Sequence, residues 1–538
     1  MTGGFRWQMD IRDIEKIIDT FHEKHPAFTG TKQQMAYDLL ATFEDLCSLA
    51  IIGSMLNPFS LKKITDYMDA LNQALNWVHN SSLSSSEVPI NSRIEESRYE
   101  NCASLINDYA LPYSVICSGY ISYSRKRLTA SVEENNVTFD FPENGNKSAW
   151  NDILRETSQM GIKGFMEVVN PIKISSAYEK LKERISIQDE ELCYELTREV
   201  IDAFSEIASK QWEVTKTLPS SWKFDLFSLE EYRKVWIALA TLSYIHLFSS
   251  LTIQDALIRL KNSTIIQPMD NIISYVESMT SIDKNVIKNI LEYITFEPEK
   301  KNVDIMYQPI VVMPGNIMVI APILFVGSRP ERNLLSVVSS KTDFEHSKEV
   351  NDLENLMVEE IEEKLKNHSN LVIVKHKNLE GRLPDIDLGV YEPNSNSVLL
   401  CELKWFMAAD SSKEVYARED DITHGCEQSS QIMAYAMKDK KTFMKNVFQV
   451  DDCDDVDLFC CVVARHNIRT QNKYVPVIDL KKLKELFGSK SPASVFHIIR
   501  NHEYEESLPE DTSITYKTIT YGGFTFNIPA ICFGSMPE

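Results

Sequence analysis

Two aspartates, two glutamates and a lysine share one short stretch, LPDIDLGVYEPNSNSVLLCELKW, residues 383–405. In an extended strand alternate side chains share a face, so Val398, Leu400, Glu402 and Lys404 point one way and Leu399, Cys401, Leu403 and Trp405 the other. Both faces are apolar until Glu402-Leu403-Lys404, the pattern of a buried strand whose end opens into a polar site. The segment before it runs from Pro384-Asp385-Ile386-Asp387 into Leu388-Gly389-Val390-Tyr391, and EPNSNS reads as the turn between them. Antiparallel pairing across that turn brings Asp387 or Asp385 beside Glu402 at one end of the sheet. Hydrolysis of a phosphodiester needs hard cations held by oxygen ligands, to activate water and neutralise developing charge. Two carboxylates and an ammonium at one strand end suit it.

The elements that must position these groups follow from periodicity. From residue 343 onward the expected order is a helix over 349–366, strands over 371–375, 386–391 and 398–404, a helix over about 427–437 and a strand over 458–464. That order predicts an α/β domain with a central mixed sheet. On the first helix Val350, Leu353, Met357, Ile361 and Leu365 form an apolar stripe; Glu354 falls inside it, Glu359 opposite, and Glu360 at its edge. A glutamate inside an apolar stripe needs a reason, and a metal site supplies one, which makes Glu354 the candidate with Glu360 behind it. In EQSSQIMAYAM, Gln428, Gln431 and Tyr435 share a helical face.

With PDID followed by ELK, the stretch resembles the PD-(D/E)XK nuclease superfamily, the restriction-endonuclease-like fold. Gln431-Ile-Met-Ala-Tyr435 is similar to the QxxxY helix of its RecB-like branches, and the likeness spans roughly residues 343–469. It implies that Asp387 and Glu402, with Glu354, bind Mg²⁺ or Mn²⁺, and that Lys404 positions the attacking water and counters transition-state charge. It further implies that Gln431 hydrogen-bonds near the metal or the scissile phosphate and that Tyr435 supports the site or contacts nucleic acid. Asp387 is favoured over Asp385 as ligand because it leads directly into the apolar strand; Asp385 is then a second ligand or a flanking group.

Other charged runs read more simply. DDCDDVD, Asp451 to Asp457, lacks the alternation, glycine and final glutamate of a calcium loop and reads as a solvated acidic turn. Lys375, Lys377 and Arg382, just ahead of the aspartates, contact phosphates or form a solvated turn. His424 and His466 flank core elements and read as structural.

The whole chain has 538 residues, 43% hydrophobic and 25% charged, with a formal net charge of −22. That charge argues against coating nucleic acid non-specifically, which needs Lys and Arg in excess, but not against a local site whose positive field comes from bound cations. Ten cysteines without a CxxC pair, an N-terminus without an apolar leader, and an apolar run at 310–326 broken by Pro314, Gly315, Asn316 and Pro322 predict a cytoplasmic protein without a membrane span. Neither the cysteines nor the 11 histidines have the spacing of a zinc site, and no GxxxxGK[ST] loop occurs.

The expected organisation is α+β and multidomain: a mostly helical region over 1–300 of unassigned role, a β-rich connecting segment over 301–345, and a nuclease-like domain over 346–538. The resemblance implies a Mg²⁺-dependent nuclease acting on DNA rather than RNA, and by analogy a restriction or anti-phage defence effector. In such a protein the helical region would sense a trigger, self-associate or bind a partner protein. The alternative from another class is a non-catalytic nucleic-acid-binding or scaffold protein that has kept the fold.

Overall fold

The structure, a computed structural model, describes residues 10–533 except 55–61, 143–170, 217, 297–303, 342–347, 380, 382, 408, 410–411, 452–454, 466–473 and 505–511. Its first half is dominated by helices, among them α1 (Ile11–Thr20), α2 (Lys32–Ser54), α3 (Lys62–Asn80) and α4 (Leu111–Ser124). A hairpin of β1 (Thr129–Glu133) and β2 (Asn136–Asp140) follows, then α5 (Arg198–Thr215) and α6 (Leu229–Ser250). Helix α6 is apolar on most of its circumference and is accordingly buried on most sides, entered through a capping box between Ser228 and Glu231. One large core links α2, α3, α5 and α6.

The described part of the connecting segment, from Ile305 to Val338, belongs to that same core. Strands β4 (Ile310–Met313) and β5 (Ile317–Ile320) turn across Pro314-Gly315-Asn316 as expected and pair with β3 (Ile265–Pro268) in the order β3-β5-β4. Helix α7 (Pro330–Lys341) starts at its proline, where the missing N–H costs nothing.

The C-terminal part begins with α8 (Lys348–Leu365) and continues through β6 (Val372–Lys377), β7 (Ile386–Glu392) and β8 (Ser397–Lys404). After these come α9 (Ser412–Lys438), α10 (Lys440–Phe448), β9 (Asp457–Ala464), β10 (Val477–Asp479), α11 (Leu480–Ser489) and α12 (Pro492–Arg500). The sheet runs β10-β9-β8-β7-β6; β8 is antiparallel to β7 and parallel to β9, so it is mixed. Because β8 and β9 are parallel, the chain must cross over between them, and α9 with α10 makes that crossing. Leu399, Cys401 and Leu403 face a core that includes Met357 and Ile361 of α8, Leu483 of α11 and Phe496 of α12. Val398 and Leu400 face Ile432 and Ala436 of α9 and Phe443 of α10. Strand β8 is thus buried on both faces, as its sequence predicts.

Two expectations differ from the structure. Helix α9 starts at Ser412, well before residue 427, and its first half is also tied to the helical region by ion pairs. The final hairpin, β11 (Thr512–Tyr521) and β12 (Phe524–Phe533), turns through Gly522 and Gly523 at positive φ. It leaves the domain assigned to 346–538: β12 pairs in parallel with β2, giving the sheet β1-β2-β12-β11. That sheet packs on Ile11, Ile14 and Ile18 of α1 and Ile116 and Tyr120 of α4. Among the described residues, no helix is long and apolar enough to cross a membrane.

Candidate active site

The β7–β8 ladder ends with Leu388 opposite Cys401. Successive N–H groups of a strand point to alternate edges, so those of Leu403 and Trp405 face the edge where β7 no longer pairs. A carboxylate lies by each. Leu403 donates to Oδ2 of Asp387 at 2.7 Å, and Glu354 of α8 stands by the Trp405 N–H, which draws its carboxyl down against burial. A buried N–H left unpaired costs about 1–3 kcal/mol, so the fold itself calls Asp387 to this strand end.

On the neighbouring face Glu402 is only 5% exposed, and Nζ of Lys404 donates to its Oε1 at 2.8 Å. Behind them stands Gly425 of α9, where an added Cβ would lie 3.0 Å from Cε of Lys404 and 3.5 Å from Cγ of Glu402. The helix therefore walls the stems of both side chains with bare backbone.

These groups act on one another. Burial, then the charge of Asp387, pushes Glu402 up to about 7, against the pull of Lys404 and with a further push from Glu354. Burial raises Asp387 too, opposed by the Leu403 N–H, Lys404 and His376, and reinforced by Asp385. Glu354 is raised by burial and by Asp387, while Lys404 and the Trp405 N–H lower it. Burial works against the Lys404 ammonium, but Glu402, Glu354 and Asp387 together outweigh it and raise its pKa. Three carboxylates around one ammonium leave a local negative excess, which a divalent cation would neutralise.

The donor set fits a hard cation in type: all three acids offer oxygen. Yet among the described residues no three His, Cys, Asp or Glu side chains already converge as a metal cluster. One oxygen of Asp387 is engaged by Leu403 and one of Glu402 by Lys404, so a bound ion would draw on the other oxygen of each.

The remaining sequence candidates fall elsewhere. Asp385 is exposed, with one oxygen 3.4 Å from Nδ2 of Asn378, so of the two aspartates Asp387 is the one beside Glu402. Gln431 is exposed because the buried stripe of α9 runs through Ile422, Gly425, Ser429, Ile432 and Ala436, on the far side of the helix from it. Gln428 flanks that stripe, and its Oε1 is buried without a hydrogen-bond partner among the described residues. Tyr435 is half-buried and meets Phe443 edge-on at 6.3 Å, a packing role. Glu360 is bound by Arg465 at 2.7 Å and Lys484 at 2.6 Å; although burial opposes it, those two cations hold its carboxyl below the usual range. Lys375 is exposed and pairs with Glu362 of α8 at 2.9 Å, and Lys377 is half-buried. His424 is exposed beside Glu427. Arg382 and His466 lie outside the described residues.

Two contributors escaped the sequence reading. His376 sits across from Asp387, between the paired positions Lys375–Leu388 and Lys377–Ile386, and acts on its charge; placing β6 antiparallel to β7 would have found it. Gly425 gave no signal, because the helix was expected only from about residue 427; inside the observed helix a glycine costs about 1 kcal/mol relative to alanine and so has a packing reason.

A scan against protein-family models and searches of the curated proteins and of the solved structures returned no match to this chain.

Proposed function

We propose that this protein is a metal-dependent nuclease that hydrolyses phosphodiester bonds, of DNA rather than RNA, as a restriction or anti-phage defence effector. The observation that carries the reading is the mutual action of Glu354, Asp387 and Glu402 around Lys404, contributed by a helix and two paired strands. Supporting it is the resemblance of PDID and ELK to the PD-(D/E)XK superfamily.

In this reading Asp387, Glu402 and Glu354 hold Mg²⁺ or Mn²⁺, which when bound supplies Lewis acidity and lowers the pKa of water. The chain's own groups do the rest. Lys404, fixed by Glu402 at 2.8 Å, presents a positive charge that orients the attacking water and offsets negative charge growing on the phosphate. Leu403 N–H fixes Asp387 at 2.7 Å, so that carboxylate need not be ordered during the reaction.

A second reading, a non-catalytic nucleic-acid-binding or scaffold protein, is favoured by one observation: Asp387 already satisfies the backbone N–H of Leu403 and so has structural work without a metal. Incubating the full chain with linear, circular and single-stranded DNA and with RNA, in Mg²⁺, Mn²⁺ or EDTA, separates the two. The nuclease reading expects cleavage that EDTA abolishes and that Lys404→Ala lowers by about 10²–10³-fold. Cleavage by Lys404→Ala at the wild-type rate overturns it, and binding without metal-dependent cleavage favours the second.

A further inference from the structure

Helix α9 is continuous over 27 residues, and residues of both its halves, Val415 and Tyr416 as well as Ile422 and Cys426, share a core with Val462 and Ala464 of β9. The second half, from Ile422 to Ala436, lies on the sheet and sets Gly425 against Lys404 and Glu402. The first half is also held by the helical region through polar contacts on several sides. Glu414 accepts from Tyr307 at 2.9 Å and from Arg332 at 2.6 Å, and the Arg332 side chain, 7% exposed, also lies over the Tyr307 ring. Tyr416 donates to Oγ of Ser122 at 2.9 Å. Arg127 pairs with Glu419, both largely buried, and Arg125 pairs with Asp420 at 2.9 Å at the surface.

These contacts come from α4, the turn after it, the segment before β4, and α7. A helix rises about 1.5 Å per residue, so Glu419 is only about 9 Å along the axis from Gly425, too short for the helix to bend between them without a break. A glycine at the contact leaves no side chain to absorb a shift. Any rotation of α9 is then felt directly by the Lys404 stem.

We propose that α9 is a strut through which the helical region positions Lys404: Arg127 and Arg332, acting through Glu419 and Glu414, set the rotation and depth of the helix that Gly425 presents to the site. Arg127, Arg332, Glu414 and Glu419 are positioning residues and touch no substrate. The activity part of this inference rests on the nuclease reading; the placement of the helix does not.

The test uses the full chain carrying Arg127→Ala with Arg332→Ala, Arg127→Lys as the conservative variant, and Arg198→Ala, which removes the exposed pair with Asp202, as a control. Amide hydrogen exchange over residues 425–436 is read beside metal-dependent cleavage. The expected result is exchange over 425–436 faster by at least about tenfold in the double variant, with protection in α6 unchanged. Cleavage falls by about 10–100-fold, Arg127→Lys recovers part of both, and the control moves neither. Unchanged exchange over 425–436 in the double variant overturns the strut. If the wild type does not cleave, the nuclease reading fails while exchange still decides the strut. Should the double variant not fold, Glu419→Gln, which keeps the side chain's shape, is read the same way.

Discussion

In the helical region Asp45 accepts from Arg259 at 2.8 Å and from the Tyr99 hydroxyl at 3.0 Å, and Asp38 pairs with Arg98 at 2.7 Å. Glu44 accepts from the N–H groups of Ile323 and Leu324. Burial raises Asp38 and Glu44, and their immediate partners all pull the other way. At the end of β8 the pattern reverses: Asp387 pushes Glu402 and Glu354 up, and Asp385 pushes Asp387. The contrast even runs along one helix, since Glu360 of α8 has two cations of its own while Glu354, six residues earlier, shares one with two other acids. Acids that hold a fold together are matched one by one with donors; acids left in excess are destabilising as they stand, and a functional site is where such an excess is retained.

The strongest way to break that comparison is at Asp45. Removing it strands the Arg259 guanidinium, whose side chain is 10% exposed, so Asp45→Ala is expected to cost about 3–5 kcal/mol by denaturant unfolding. A loss well under about 1 kcal/mol would mean the matched pairs are not structural supports.

Glu402→Gln is expected to act in the opposite direction. The folded chain keeps the Glu402 proton to about 7, while an unfolded glutamate releases it near the ordinary value of 4.5. Between those values the folded state binds more protons, so metal-free stability falls as pH rises through the window. The variant should therefore be more stable than wild type in EDTA above about pH 7, by on the order of 1–3 kcal/mol, and indistinguishable below about pH 4. It should also lose metal-dependent cleavage. Destabilisation at neutral pH would show that Glu402 is matched after all.

The smallest effect sharpens the contrast within α8. The Glu360 triad is about one-third exposed, so Glu360→Ala is expected to cost under about 1 kcal/mol and to leave cleavage unchanged. If it matched a Glu354→Ala variant in lost cleavage, the two glutamates would have to be placed in one site.

What was legible in the sequence is what depends on short-range geometry. Period-two alternation and a short turn fix β7, β8 and the meeting of Asp387 with Glu402, and a helical stripe singles out Glu354. The position of Gln431 was not legible from a helix read only from about residue 427: the stripe that turns it outward starts at Ile422 and Gly425, ahead of that point, in a helix whose first turns pair with Arg332 and Arg127 far away in sequence. Nor was the destination of the last hairpin: Asn527 meets Thr138 across 389 residues, and nothing local in TYKTITYGGFTFNIPAI names that partner.

That pairing also has a consequence for biosynthesis. At roughly 5–20 residues per second, the ribosome needs on the order of tens of seconds between making β2 and making the strand that completes its sheet. Through that interval the free edge of β2 and the apolar side of α1 are open to other nascent chains, an aggregation hazard that the five-residue length of β1 and β2 keeps small. The α1 core is finished only after the catalytic candidates have left the ribosome, so α1, made before them, is sealed after them.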